Sequence, residues 1–381
     1  NYKNAGIPAQ TWISSIEPSR FDKKVVYATF DNHMYGDHKT YLGYSADMGR
    51  TWKLISSPEF TGFAHIIRED LINKDLLFLG TEMGLFGTLD GGKNWFRMKN
   101  KIPEYALVRD IKIHPRTHDL IIATHGRGIL IVDDISPIRN LKKETAEKEV
   151  VLFPNAPITL TMGQFGDGGF PSTGGWVAGN PPSIPPIKYY LKDRVNSGEV
   201  KVEIFDATGK LVQSIPGSKR KGVNMVMWNL SMKPPKIASG GAKIDFAGFL
   251  APMVLPGEYT IKLKVADSVY TSKVKLVHDP LDKNFTLEDR KKQNKAAMDL
   301  YQLHERLATV VDSINDRQKL IKDNLTKVTD STLKRSLVAY NEELEKLRSE
   351  LLSTKQKSVF ADEKKLREDI TEVYAGVTGQ E

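Results

Sequence analysis

Acidic, imidazole and guanidinium side chains gather at three places in the first third of the sequence. Asp31, His33, Asp37 and His38 share one short stretch, Glu82 stands in a second, and His125 and Arg127 in a third. Two carboxylates roughly 5–10 Å apart across a sugar can hydrolyse a glycosidic bond, and Glu82 with Asp31 or Asp37 supplies the residue types. Asp31, His33, Asp37 and His38 also offer oxygen and imidazole ligands to a cation, but their spacing matches no EF-hand loop, and no metal is assigned. A structural role competes for each residue. Glu82 and Arg127 can pair or cap turns, and His125, between Thr124 and Gly126, can bond backbone.

A repeat has to position these groups. Ser45-Ala46-Asp47-Met48-Gly49-Arg50-Thr51-Trp52 and Thr88-Leu89-Asp90-Gly91-Gly92-Lys93-Asn94-Trp95 both read Ser/Thr-x-Asp-x-Gly-x-x-Trp. A period of about 43 residues predicts one supersecondary unit per repeat, with propeller blades the leading architecture. Each octet predicts a tight turn between two strands. Ser45, Asp47, Thr88 and Asp90 bond turn amides, Gly49 and Gly92 allow positive φ, and Trp52 and Trp95 re-enter the core. Three versions of the unit run from Trp12 to about Ile138. Each opens on an apolar run (residues 13–18, 66–70, 111–115) and continues through a β-rich run ending in Thr (25–29, 76–81, 120–124). A third run follows (41–44, 85–87, 129–132), and such short, turn-bounded runs predict buried strands. Asp133-Asp134 replaces the octet in the third unit, as expected of a last repeat.

The octets resemble the Asp-box (BNR repeat) of bacterial sialidase-type, xyloglucanase-type and sortilin-like propellers. Gly80-Thr81-Glu82-Met83-Gly84-Leu85-Phe86 and Thr124-His125-Gly126-Arg127-Gly128-Ile129 are similar to the final blades of large bacterial sortilin-like proteins, which are often labelled glycosyl hydrolases from the Asp-box alone. The resemblance implies that the octets are structural and lie on the face away from the usual binding site. The opposite face would present Asp31, His33, Asp37, His38, Glu82, His125 and Arg127, with Phe60, Glu104 and Tyr105 from loops between blades. A sialidase-type arginine triad would have to draw on Arg68, Arg109 and Arg127. A propeller closes with about four to eight blades. Fewer than three are expected here, so upstream blades are expected before Asn1, and a free chain would expose blade faces and unpaired edges.

Composition narrows the classes. The chain has 381 residues, 40% hydrophobic and 27% charged, as in ordinary globular proteins. It has no cysteine, which excludes disulfides, zinc-thiolate sites and a thiol nucleophile. No apolar run approaches the roughly 20 residues of a membrane span. The net charge is +8, but no Arg/Lys block is interleaved with aromatics, so nucleic acid is not an expected partner. No cofactor is expected, since the Gly-rich stretch lacks the Gly-Lys-Ser/Thr of a phosphate loop.

Four regions follow: the last propeller blades over 1–140, a charged and then Gly/Pro-rich linker over 141–186, a β-sandwich over 187–280, and helices over 281–381. Phe165, Phe170 and Trp176 are candidate anchors in the linker. Six short strands predict an immunoglobulin-like sandwich. Ile204-Phe205-Asp206, Trp228-Asn229-Leu230 and Leu255-Pro256-Gly257-Glu258-Tyr259 resemble the flagellar-hook-cap-type Ig-like domain. Residues 233–249 read as a mobile insertion. Thr286-Leu287-Glu288-Asp289 resembles a capping box. Seams at Leu300, Leu303, Leu307, Val310, Ile314 and at Leu333, Leu337, Tyr340, Leu344, Leu347, Leu351 predict an antiparallel hairpin, which a third helix can extend to a bundle. These features point to a non-catalytic binding and assembly component of a bacterial envelope or surface (periplasmic, outer-membrane or secreted). Its propeller would recognise a protein or glycan partner. The alternative is a glycoside hydrolase whose site lies mostly in upstream blades.

Overall fold

The computed structural model describes residues 5–99, 102–141, 143–160, 186–239, 246–280, 282–283, 285–353 and 363–378. The chain is mainly β with a helical C-terminus and divides into two compact units, Asn1–Glu149 and Val150–Glu381.

The first unit is a partial β-propeller. Strands β1 (Trp12–Pro18), β2 (Val26–Asn32), β3 (Asp37–Ser45) and β4 (Lys53–Ile55) form one antiparallel sheet in chain order. Strands β5 (Ala64–Glu69), β6 (Leu77–Thr81), β7 (Gly84–Thr88) and β8 (Phe96–Arg97) form a second. A third holds β9 (Leu107–Ile113), β10 (Leu120–His125) and β11 (Ile129–Val132), before the short helices α1 (Ser136–Asn140) and α2 (Lys143–Ala146). The leading strand of the middle sheet, β5, touches both β1 and β9. Period-two alternation explains why β6 is apolar on both faces. Leu77 and Leu79 enter a core shared with Tyr27 and Leu42 of the first sheet, while Phe78 enters one shared with Val108, Ile111 and Ile122 of the third. A strand buried on both sides has no polar face to show.

Each octet joins the two outer strands of its sheet. Asp47 accepts from the Thr51 amide (2.8 Å) and hydroxyl (2.6 Å), and Trp52 Nε1 donates to the Gly49 carbonyl at 3.0 Å. Asp90 repeats this with the amide of Asn94 (2.9 Å) and its side chain (2.7 Å), and Trp95 Nε1 donates to Gly92 at 3.0 Å. Gly49 and Gly92 have φ of +81° and +93°, which L side chains rarely adopt. Apolar faces are exposed at both ends of the row of sheets: Trp12, Ile13 and Ile16 on β1, Ile129 and Ile131 on β11.

The second unit holds the sandwich and the helices. One sheet runs β12 (Val150–Leu152), β14 (Ile187–Leu191), β17 (Gly222–Val226). The other runs β13 (Ile158–Leu160), β19 (Ser268–His278), β18 (Gly257–Val265), β15 (Val200–Phe205), β16 (Leu211–Pro216). Tyr189, Val202, Trp228, Ile261 and Leu276 fill the core between them. The linker expectation for 141–186 needs correction at its start. β12 pairs with β14 and β13 runs parallel to β19, with Phe153 buried between them in sequence. Three-residue strands carry too little periodicity to be read. Phe165, Phe170 and Trp176 lie outside the described residues.

Helix α3 (Leu287–Leu325) begins with the expected capping box, Thr286 and Asp289 each bonding the other's amide. Helices α4 (Ser331–Leu351) and α5 (Leu366–Thr378) pack against it. The buried stripe of α3 is Leu307, Ala308, Val311 and Ile314, whereas Leu303 and Val310 of the expected seam are largely exposed. Contact with α5 rotates the seam away from the two-helix geometry. The first part of the expected mobile insertion is also docked: Ala238 lies in the helical core and its carbonyl accepts from Arg367 Nη1 at 3.0 Å.

Candidate functional site

In an antiparallel meander the turns alternate between two ends. The octets fall at one end with the β1–β2 and β5–β6 turns, as the bonds from the Met48 amide to Lys24 and from the Gly91 amide to Asp75 show. The opposite end carries the β2–β3, β6–β7 and β10–β11 turns and the loops between sheets. Register gives the equivalences there. Trp12 faces Asp31, the Glu82 amide bonds the Phe63 carbonyl, and Leu107 faces His125, so Asp31, Glu82 and His125 are the same position in successive sheets.

The candidate residues at this end form pairs. Asp31 Oδ1 accepts from the His33 amide at 2.9 Å and lies 2.6 Å from His33 Nδ1. The His33 ring stacks on Phe63, with centroids 4.4 Å apart and planes 15° from parallel. His38 Nδ1 sits 3.4 Å from Glu82 Oε2. Asp37 accepts from the Tyr41 hydroxyl at 2.7 Å and from Asn32 Nδ2 at 3.2 Å. Partial burial works to raise the Asp37 pKa, but the bonds from Tyr41, the Lys39 amide and Asn32 outweigh it and hold the carboxyl below its ordinary value. That is the wrong direction for a general acid. Among the described residues no three His, Asp or Glu side chains gather as metal ligands would. His125 and Arg127 are exposed on the last turn.

Two expectations, for Phe60 and Arg68, need correction. Phe60 does not present itself at the site; it packs edge-on against Phe86 and Trp95 in the core. Glu104 is exposed on the loop before β9, and its backbone carbonyl accepts from Arg97. Arg68 is no member of an arginine cluster, because it ties three leading strands together. It bonds Glu17 of β1 and donates from Nε to the Ile111 carbonyl of β9 at 2.9 Å.

The residues that sequence reasoning missed are His65 and Phe63, together with the placement of Arg109. Each leading strand carries one extra residue where its pairing register shifts: Ser14 in β1, His65 in β5 and Arg109 in β9. A bulge re-aims a side chain, and it recurs here at the same place in all three sheets. Arg109 Nη1 lies 3.3 Å from His65 Nδ1. Arginine has only donors to offer, so Nδ1 accepts and the proton of the neutral ring resides on Nε2. Burial, followed by the Arg109 charge, pulls the His65 pKa down to about 4, while Asp31 works in the other direction. Among the described residues Nε2 of His65 and Oδ1 of the buried Asn32 have no hydrogen-bond partner.

No family model and no curated protein matches the chain. Solved structures that resemble it are propeller-type proteins. A GH74 enzyme from Niastella koreensis is 12% identical, with 69% of this chain and 46% of that chain covered and a TM-score of 0.29. PorZ, a surface component of the type-IX secretion system of Porphyromonas gingivalis, is 12% identical, with coverage of 70% and 39% and a TM-score of 0.25. YCF48 bound to a D1 peptide is 16% identical, with coverage of 32% and 37% and a TM-score of 0.24. The chain thus spans less than half the length of each. At these values the likeness carries no argument about activity, and the strand order and register define the propeller.

Proposed function

We propose that this chain belongs to a non-catalytic binding and assembly protein of a bacterial envelope or surface, whose propeller recognises its partner on the end opposite the octets. The carrying observation is the state of the carboxylates there. Asp31 is held by His33, Asp37 by Tyr41 and Asn32, and Glu82 by His38. A glycosidase needs one carboxyl kept protonated and a second free to act across the sugar. Asp37 is held below its ordinary value, against an acid role, and Asp31 and Glu82 each face a histidine. Among the described residues no helix is long and apolar enough to cross a membrane. The octets fit the Asp-box reading, in which their part is to close the blade.

A trapping experiment tests this reading. An activated fluoro-sugar forms a stable ester with the nucleophilic carboxylate of a retaining glycosidase. Intact-mass spectrometry is expected to show no adduct on this chain. An adduct mapped to Asp31, Asp37 or Glu82 would overturn the proposal.

A further inference from the structure

We propose that two copies of this chain associate through the open face of the α3–α4 hairpin, joining as an antiparallel four-helix bundle. The sequence sets apolar residues along both helices at heptad spacing, yet the hairpin buries only part of that seam. Leu307 and Ile314 of α3 and Leu344 of α4 are buried, whereas Val310 is 46% exposed and Leu333, Tyr340 and Leu347 are 51%, 40% and 45% exposed. Residues seven apart lie almost above one another on a helix, so Leu303 and Val310 make one stripe and Leu333, Tyr340 and Leu347 another. Arg317 Nη1 donates to the Tyr340 hydroxyl at 3.0 Å, which puts both stripes on one side of the hairpin and fixes their register. Moving one heptad along each helix from that bond brings Val310 level with Leu347. Helix α5 packs on another face of α3, where Ala308 and Val311 share a core with Ile370. A continuous apolar stripe left exposed on a helix pair marks an interaction surface.

The charges beside the stripe select its occupant. Arg306 and Arg317 border it on α3, Glu343 and Glu350 border it on α4, and all four are exposed. Arg306, Glu343 and Glu350 have no ion-pair partner among the described residues. A twofold axis parallel to the helices lays α3 of one copy beside α4 of the other, running antiparallel. The register of the Arg317–Tyr340 bond then sets Arg306 level with Glu350 of the second copy, and Arg317 close to Glu343. The other face-to-face twofold, across the helices, sets arginine edge on arginine edge and glutamate edge on glutamate edge, which like charge opposes. A face that complements itself in this way is what a twofold dimer requires, and up-down helices around an apolar seam are the packing of a four-helix bundle.

Sedimentation equilibrium of the full chain tests this. The parent is expected to reach twice its chain mass at micromolar concentration. Arg306→Glu and Glu350→Arg each place like charges across both symmetric contacts, and each should weaken the dimer about tenfold. Both positions are exposed, so the far-UV circular dichroism of either variant should match the parent. An equimolar mixture of the two variants restores opposite charges at both contacts and should recover the parent's association. A monomeric parent would overturn the proposal and leave the face to a different protein. A dimer that both variants leave unchanged, or a mixture no tighter than either variant alone, would also overturn it. So would a dimer abolished by Trp12→Ser and untouched by the helix variants, since association would then run through the exposed face of β1. Failure here leaves the non-catalytic reading intact, and a fluoro-sugar adduct would remove that reading without touching the dimer.

Discussion

Arg139 donates from Nε to both carboxylate oxygens of Asp70, at 2.9 and 2.8 Å, across 69 residues of sequence. Both side chains are buried, and Asp70 also accepts from the amides of Ile72 and Asn73. The pair fastens α1 to the turn after β5, so the segment that follows the last sheet is held by the middle one. Removing one partner of such a pair leaves a charge buried and uncompensated. Arg139→Met is expected to cost about 3–5 kcal/mol in urea denaturation. The double variant Asp70→Leu/Arg139→Met should be less destabilised than the two single losses added together. Strict additivity would mean the two residues act independently.

Gly80 of β6 leaves room for Ile66 of its own sheet and Val108 of the third. A Cβ there would meet Ile66 Cγ2 and Val108 Cγ1, each at 2.6 Å. Gly80→Ala should therefore overpack the core and cost about 1–3 kcal/mol. A melting temperature equal to that of the parent chain would show that the sheets separate more easily than their packing implies.

The two octets are chemically alike but unequally buried. Trp95 is 6% exposed and packs on Phe60, whereas Trp52 is half-buried against Phe30. Trp95→Ala is expected to cost about 3–5 kcal/mol, and Trp52→Ala clearly less. Denaturation of both variants ranks them, and the reverse order would contradict the core assignment.

Asp47 gives a pH signature for the octet turn. Bonds from the Thr51 hydroxyl and amide and from Ser45 lower its pKa from 3.8 to about 2. The folded value lies below the unfolded one, so the contribution to stability is complete above the unfolded value and is lost as pH falls toward the folded one. Carbon-detected titration should place the Asp47 carboxyl midpoint near 2. In Thr51→Val the midpoint should move up toward the ordinary value; an unchanged midpoint would sink the assignment.

Strands and turns were legible in the sequence because their signals are local. The Leu77–Thr81 run, the two octets and the capping box at Thr286 each carry their pattern within a few residues. The bulges at Ser14, His65 and Arg109 were not legible, since a bulge exists only relative to the partner strand. For the same reason Asp31 and Glu82 could be placed at one end of the sheets, while the side chain that each one meets could not. Phe60 was misread because a loop aromatic looks the same in sequence whether it faces solvent or turns inward onto Trp95. The stripe on α3 shifted because a third helix, α5, shares it.

Sugar release separates recognition from hydrolysis most directly. The chain and its Glu82→Gln variant are incubated with xyloglucan and with a sialylated oligosaccharide, and new reducing ends and free sialic acid are counted. Neither protein is expected to release sugar above the buffer control. Release by the parent chain that disappears in Glu82→Gln would contradict the non-catalytic reading and make Glu82 a catalytic residue.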